Sequence, residues 1–232
     1  MDAARVALMR ELLASTGWVD RTRTFAGALR RSTRTEQGLL VVGTPEVEPW
    51  HMAAHLDDES RLAGLPGLAP TLVRWNPPPG APAHLSIGLE RLEQARRGET
   101  LFVVAPDAPP EQLLERVHDA RRTGATVFAM DTGDADLNDL AHESLIVPAG
   151  GITAPGTPSG LALPTYDLTL DALDLSAPDA SFDVVEHLVS AAAGESEQVL
   201  AAASGRTSRR GLRDRLGRLL DTISGPTAPR DW

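Results

Sequence analysis

No cysteine occurs among the 232 residues. A disulfide framework, a thiolate metal site and a thiol nucleophile are therefore excluded. Lysine is missing too: all 22 basic residues are arginine, which we attribute to a GC-rich coding sequence rather than to guanidinium chemistry. No apolar run approaches the ~20 residues that span a bilayer. The opening MDAARVALMR lacks the charged-then-apolar form of a secretory signal. The expected location is cytoplasmic, with no bilayer-spanning segment. A net charge of -10 argues against nucleic-acid binding by the surface as a whole. No P-loop, dinucleotide fingerprint or nucleophile elbow is present. What remains is a chain with 42% hydrophobic residues, enough for one generous domain or one domain with appendages.

The organising stretch runs from Leu101 to Pro148. Leu101 to Ala105, Thr126 to Met130 and Leu145 to Val147 are short apolar runs without polar alternation, the pattern of strands covered on both faces. Glu111 to Arg122 between the first two has apolar residues at 113, 114, 117 and 120, which is helical spacing. Strand, helix, strand, short helix, strand predicts a right-handed parallel α/β unit. Upstream, residues 2–16 fit an amphipathic helix and about Arg21 to Arg31 a second. Leu39 to Gly43 predicts the first strand, Trp50 to Leu62 a helix, and Ala69 to Trp75 another strand. The proline-rich Asn76 to Pro82 is a loop, and His84 to Arg97 predicts a helix. Residues 149–181 read as an insertion, long for a loop, and Phe182 to Ala193 returns to helical spacing. Thr207 to Ile223 forms a separate amphipathic segment with five arginines.

In this order the elements resemble a SIS (sugar isomerase) domain, closest to the phosphoheptose isomerase-like subtype. WHMAAHL, ERLEQARRGETLFVVA, EQLLERVHDARRTGATVFAMD, LNDLAHESLIVP and DVVEHLVSAAA each resemble a successive segment of that family. The resemblance implies a three-layer α/β/α, flavodoxin-like fold with a five-stranded parallel sheet. It covers residues 5 to about 194; with Gly205 as a helix breaker, the expected domain is residues 1–204, leaving 205–232 as a C-terminal amphipathic helix and tail. It also implies a homodimer or homotetramer built through the N-terminal helices. Sugar phosphates would bind at the carboxyl ends of the strands.

Two loops depart from the family pattern. After the first strand only Gly43 survives of a Gly-rich, Ser-containing turn, with Thr44 as a polar contact. After the third strand the family places serines whose hydroxyls and backbone N–H groups hold a phosphate. Here the loop is Ala105-Pro106-Asp107-Ala108-Pro109-Pro110-Glu111. Its hydroxyls are gone and its prolines delete donors. Asp107 reads as a helix N-cap and Glu111 as a first-turn acid. Glu46 and Glu48 are expected to approach from the first loop. Ligand-contact candidates are Gly43, Thr44, Asp107, Asp131 and Thr132.

The histidines carry the remaining chemistry. His51 and His55 lie one helical turn apart. By resemblance they fall on a His and a catalytic Glu of the isomerases, some of which bind zinc there. Glu186 or His187 falls near the family's last-helix motif. The candidate catalytic residues are thus His55, Glu186 and His187, and the candidate zinc ligands are His51, His55 and His187. The alternative is an ordinary pair of helix histidines beside a satisfied core residue, and no cofactor. His84, His118 and His142 read as surface residues on helices. Asp57-Asp58-Glu59 reads as a solvated helix face. Asp136 reads as the cap of a short helix, in a loop only weakly like a calcium site.

These features predict a SIS-like protein with degenerate phosphate loops that has lost ordinary catalysis. It would act as a binding, regulatory or structural homo-oligomer. The rivals are an active isomerase or metal-assisted enzyme with rebuilt loops, and an adaptor recruiting a protein partner or membrane through residues 207–223.

Overall fold

A computed structural model describes residues 18–147 and 178–195. The expectations for residues 2–16, for most of the insertion and for 205–232 lie outside them. The chain enters as α1 (Trp18–Ser32), then runs β1 (Leu39–Val42), α2 (Trp50–Ala63), β2 (Pro70–Val73), α3 (Glu90–Glu93) and β3 (Thr100–Ala105). It continues through α4 (Glu111–Thr123), β4 (Thr126–Asp131), α5 (Ala135–Leu140) and β5 (Glu143–Ile146), and ends in α6 (Pro178–Ala193). The five strands form one parallel sheet in the order β2-β1-β3-β4-β5. The predicted α/β class and five-stranded parallel sheet are therefore observed.

Alternation along the strands explains the layering. In β1, Leu39 and Val41 face one side while Leu40 and Val42 face the other, and all four are fully buried. In β3, Phe102 and Val104 oppose Leu101, Val103 and Ala105 in the same way. A sheet apolar on both faces requires a helical layer on each. The first layer is α1, α2 and α6, supplying Phe25, Leu29, Met52, Leu56, Val185 and Val189. The second is α3, α4 and α5, supplying Leu92, Leu113, Val117 and Leu137.

Three elements differ from the sequence reading. The helix expected over 84–97 shrinks to a 3-10 turn (Ala83–Leu85) and the single turn of α3. The intervening backbone extends the sheet instead: Arg74 N–H donates to the Ile87 carbonyl at 2.9 Å and Arg74 bridges Gly88 in parallel. Leu89 and Leu92 are still buried as the spacing predicts. The last helix begins at Pro178 rather than Phe182, since proline fits a first helical turn, where its missing N–H is not needed. Finally, α5 is capped by Asp134, whose side chain accepts from Leu137 N–H at 2.8 Å, while Asp136 sits in the first turn.

Phe25 links α1 to the sheet. Its ring lies 5.6 Å from Phe102 and 5.4 Å, edge-on, from Phe128, and it is 4% exposed. Phe25→Ala is expected to destabilise the protein by about 3–5 kcal/mol, and Phe25→Leu by far less, from cavity formation. Urea unfolding of the two variants measures the difference.

Candidate ligand site at the carboxyl edge

From β1 the chain crosses to β2 on one side and then returns past β1 to β3 on the other. That reversal makes a crevice between the carboxyl ends of β1 and β3, the usual ligand position in such sheets. Thr44 and Asp107 meet across it. The Thr44 hydroxyl donates to Asp107 Oδ1 at 2.6 Å and accepts from Val47 N–H at 3.3 Å. Thr44 is fully buried. Both candidate contacts are thus brought together, but they satisfy each other. Asp107 is not the cap predicted for α4. That helix starts from Pro110 with no side-chain cap, and the Pro110 carbonyl accepts from Leu113 and Leu114. Proline's extended backbone already delivers the chain in helix-starting geometry, which frees Asp107 for Thr44. Glu111 does sit in the first turn.

Gly43 shows how tightly the first loop folds on itself. A Cβ there would lie 2.0 Å from the Val47 carbonyl oxygen and 2.6 Å from Pro49 Cδ. No side chain could stand at position 43, and the Gly43 carbonyl accepts from Trp75 Nε1 at 2.8 Å. Glu48 does not reach into the crevice as expected. It accepts from Arg74 Nε at 2.9 Å and from Trp75 N–H at 3.3 Å. Arg74 in turn lies over the Trp50 ring, 4.4 Å from its centroid. The Trp50–Arg74–Glu48–Trp75 cluster was not found from sequence. Its one available signal was an acid in the β1 loop and an Arg-Trp pair at the end of β2, adjacent strands at their carboxyl ends.

Asp131 closes β4 and is fully buried. Its Oδ1 accepts from Gly133 N–H at 2.5 Å, Asp134 N–H at 2.8 Å and Asn138 Nδ2 at 3.1 Å. It therefore builds its own loop around Gly133, whose φ of 107° suits glycine. Thr132 follows it, half-buried.

Beyond Trp50, α2 meets α6 through histidines. The His55 and His187 rings lie 4.4 Å apart, and His51 lies 6.4 Å from His55. His187 and Glu186 are buried, at 8% and 6% exposure. The three expected rings are thus neighbours. Yet among the described residues no group of three or more His, Asp or Glu side chains is arranged to hold a metal ion. Burial pushes the His55 pKa below the ordinary imidazole value; His187 and His51 push it the same way and Asp58 opposes them. Arg61 holds Asp57 and Asp58 on the outer face of α2, as a solvated charged face should. His142 is not on a helix: it precedes β5, and its Nδ1 accepts from Val127 N–H at 2.9 Å.

No protein-family model and no curated protein matches the chain. Solved structures do show likeness. A candidate phosphosugar isomerase from Silicibacter pomeroyi DSS-3 is 16% identical with a TM-score of 0.48, over 94% of this chain and 55% of that one. The chain thus spans about half the length of that protein. A hypothetical protein is 12% identical with a TM-score of 0.42, over 90% and 95% of the two chains. The Vibrio vulnificus NanR protein, complexed with ManNAc-6P, is 9% identical with a TM-score of 0.45, over 97% and 71%. Likenesses of this size carry no argument about what the chain binds.

The histidine contact has a pH signature. Because folding lowers the proton affinity of His55, the unfolded chain holds more protons just below neutrality. Its contribution is fully present above about pH 6.5 and is lost as the pH falls through the lower, folded-state value. Urea midpoints should therefore decline on acidification through this range. His55→Gln should remove up to one proton's worth of that slope, and an unchanged slope would refute the assignment.

Proposed function

We propose that this chain is a SIS-like α/β protein without ordinary sugar-phosphate catalysis, acting as a binding, regulatory or structural homo-oligomer. The observation that carries this reading is the Thr44–Asp107 hydrogen bond across the β1/β3 crevice. A competent phosphate loop directs several N–H and hydroxyl donors at one dianion. Here the donating hydroxyl is spent on a carboxylate of the same chain, and the opposing loop offers prolines in place of serines. A carboxylate about 5 Å from a phosphate costs roughly 3 kcal/mol at an effective dielectric near 20, about two orders of magnitude in affinity. The parallel sheet and its two helical layers agree with the resemblance in fold. The loops support a change of use.

The metal-assisted alternative draws support from the proximity of the three histidine rings alone, although among the described residues no such group is arranged to hold a metal ion. The oligomer reading must rest on residues 2–16, since α1 buries Trp18, Phe25, Ala26 and Leu29 within its own chain.

Titration calorimetry with fructose 6-phosphate, sedoheptulose 7-phosphate and N-acetylmuramic acid 6-phosphate is expected to give no saturable heat at millimolar ligand. Saturable binding abolished by Thr44→Val would overturn the reading and favour an isomerase. Light scattering at micromolar protein should give a dimer or tetramer, and a monomer would remove the homo-oligomer.

A further inference from the structure

Four carboxylates line an open groove of ≈ 630 Å³ between α4 and α5: Glu115 and Asp119 on one helix, Asp136 and Asp139 on the other. Leu114 and Leu140, both half-buried, supply its apolar part. The arginines of α4 take one of these carboxylates and leave the other three without an ion pair. Arg116 pairs with Glu93 at 3.3 Å and Arg121 donates to the Asp139 backbone carbonyl. Arg122 takes Asp119 at 3.3 Å. Among the described residues Glu115, Asp136 and Asp139 therefore have no ion pair. Like charges gathered beside an apolar floor repel one another, and the chain as a whole is already at -10.

We propose that this groove docks residues 207–223 of the same chain. The segment is its chemical complement: Leu212, Leu216, Leu219 and Leu220 match the leucine floor, and five arginines match the carboxylates. Guanidinium groups suit such a site, since they pair with carboxylates through two parallel hydrogen bonds. Reach is sufficient. Residues 196–206 separate the segment from Glu195 at the end of the described chain, and 11 residues can span at most roughly 40 Å. The two helical layers lie roughly 20 Å apart, from layer spacings of about 10 Å. A tether of this length also gives the segment a millimolar effective concentration at the groove, which a separate partner must compete against.

The absence of lysine supplies the probe. In the full chain Arg215→Lys introduces the only side-chain amine, and a carbodiimide joins it to carboxylates in contact. The expected product is monomer-sized, links position 215 to 115, 119, 136 or 139, and disappears at about 1 M salt, where surface pairs are screened. Links confined to other carboxylates, or none, would overturn the proposal. Links found only in a dimer-sized product would assign the groove to a second copy and overturn docking within the chain. Independently, Asp136→Arg with Asp139→Arg should raise tryptic cleavage after Arg209 and Arg210 about tenfold, the effect of losing ~1.4 kcal/mol of docking. An unchanged rate counts against it.

Discussion

The burial of β1, β3 and β4 on both faces is the constraint from which the rest follows. Every residue of β1 and β3 is inaccessible to solvent, so neither face can be left to water, and two helical layers are obligatory. Parallel strands then need crossovers, and crossovers place all strand ends of one polarity along one rim. The β1/β3 reversal opens a crevice there whether or not the sequence has a use for it. In this chain the loops that meet at the crevice bond to one another. The fold places this edge where ligands usually sit, and here Thr44 and Asp107 bond to one another across it.

Charge placement along the rim follows the same logic. An acidic loop next to an anion site would be repulsive, but here the acids are engaged within the protein. Glu48 is held by Arg74 and by a backbone N–H, and Arg74 is flattened on Trp50. Asp131 spends one oxygen on two backbone amides and an asparagine. Carboxylates that stabilise their own loops are a different device from carboxylates that receive a substrate, and the two are distinguished by where the donors come from.

The fold was largely legible because it depends on periodicity. The runs LLVVG and LFVVA and the helical spacing of Leu113, Val117 and Ala120 placed β1, β3 and α4 within a residue or two. Reading failed where tertiary pairing overrode local spacing. Leu85, Leu89 and Leu92 look helical, yet residues 87 and 88 are captured by Arg74 at the sheet edge. The site was legible in part by composition, since the loop after β3 holds prolines and acids and no hydroxyl. Its wiring was not. Nothing local indicates that Asp107 would prefer Thr44 to the helix it precedes, or that Glu48 would turn to Arg74, because both choices depend on strand order.

Strand order also has a consequence in time. Leu39 pairs with Pro70 on one side and with Thr100 on the other, so this interior strand emerges from the ribosome well before either neighbour. Parallel pairings between distant segments form slowly. Until β3 is synthesised, LLVV has no partner on that side, and such a stretch is prone to intermolecular pairing. In this architecture the nascent N-terminal half, rather than the finished rim, is the segment most in need of protection.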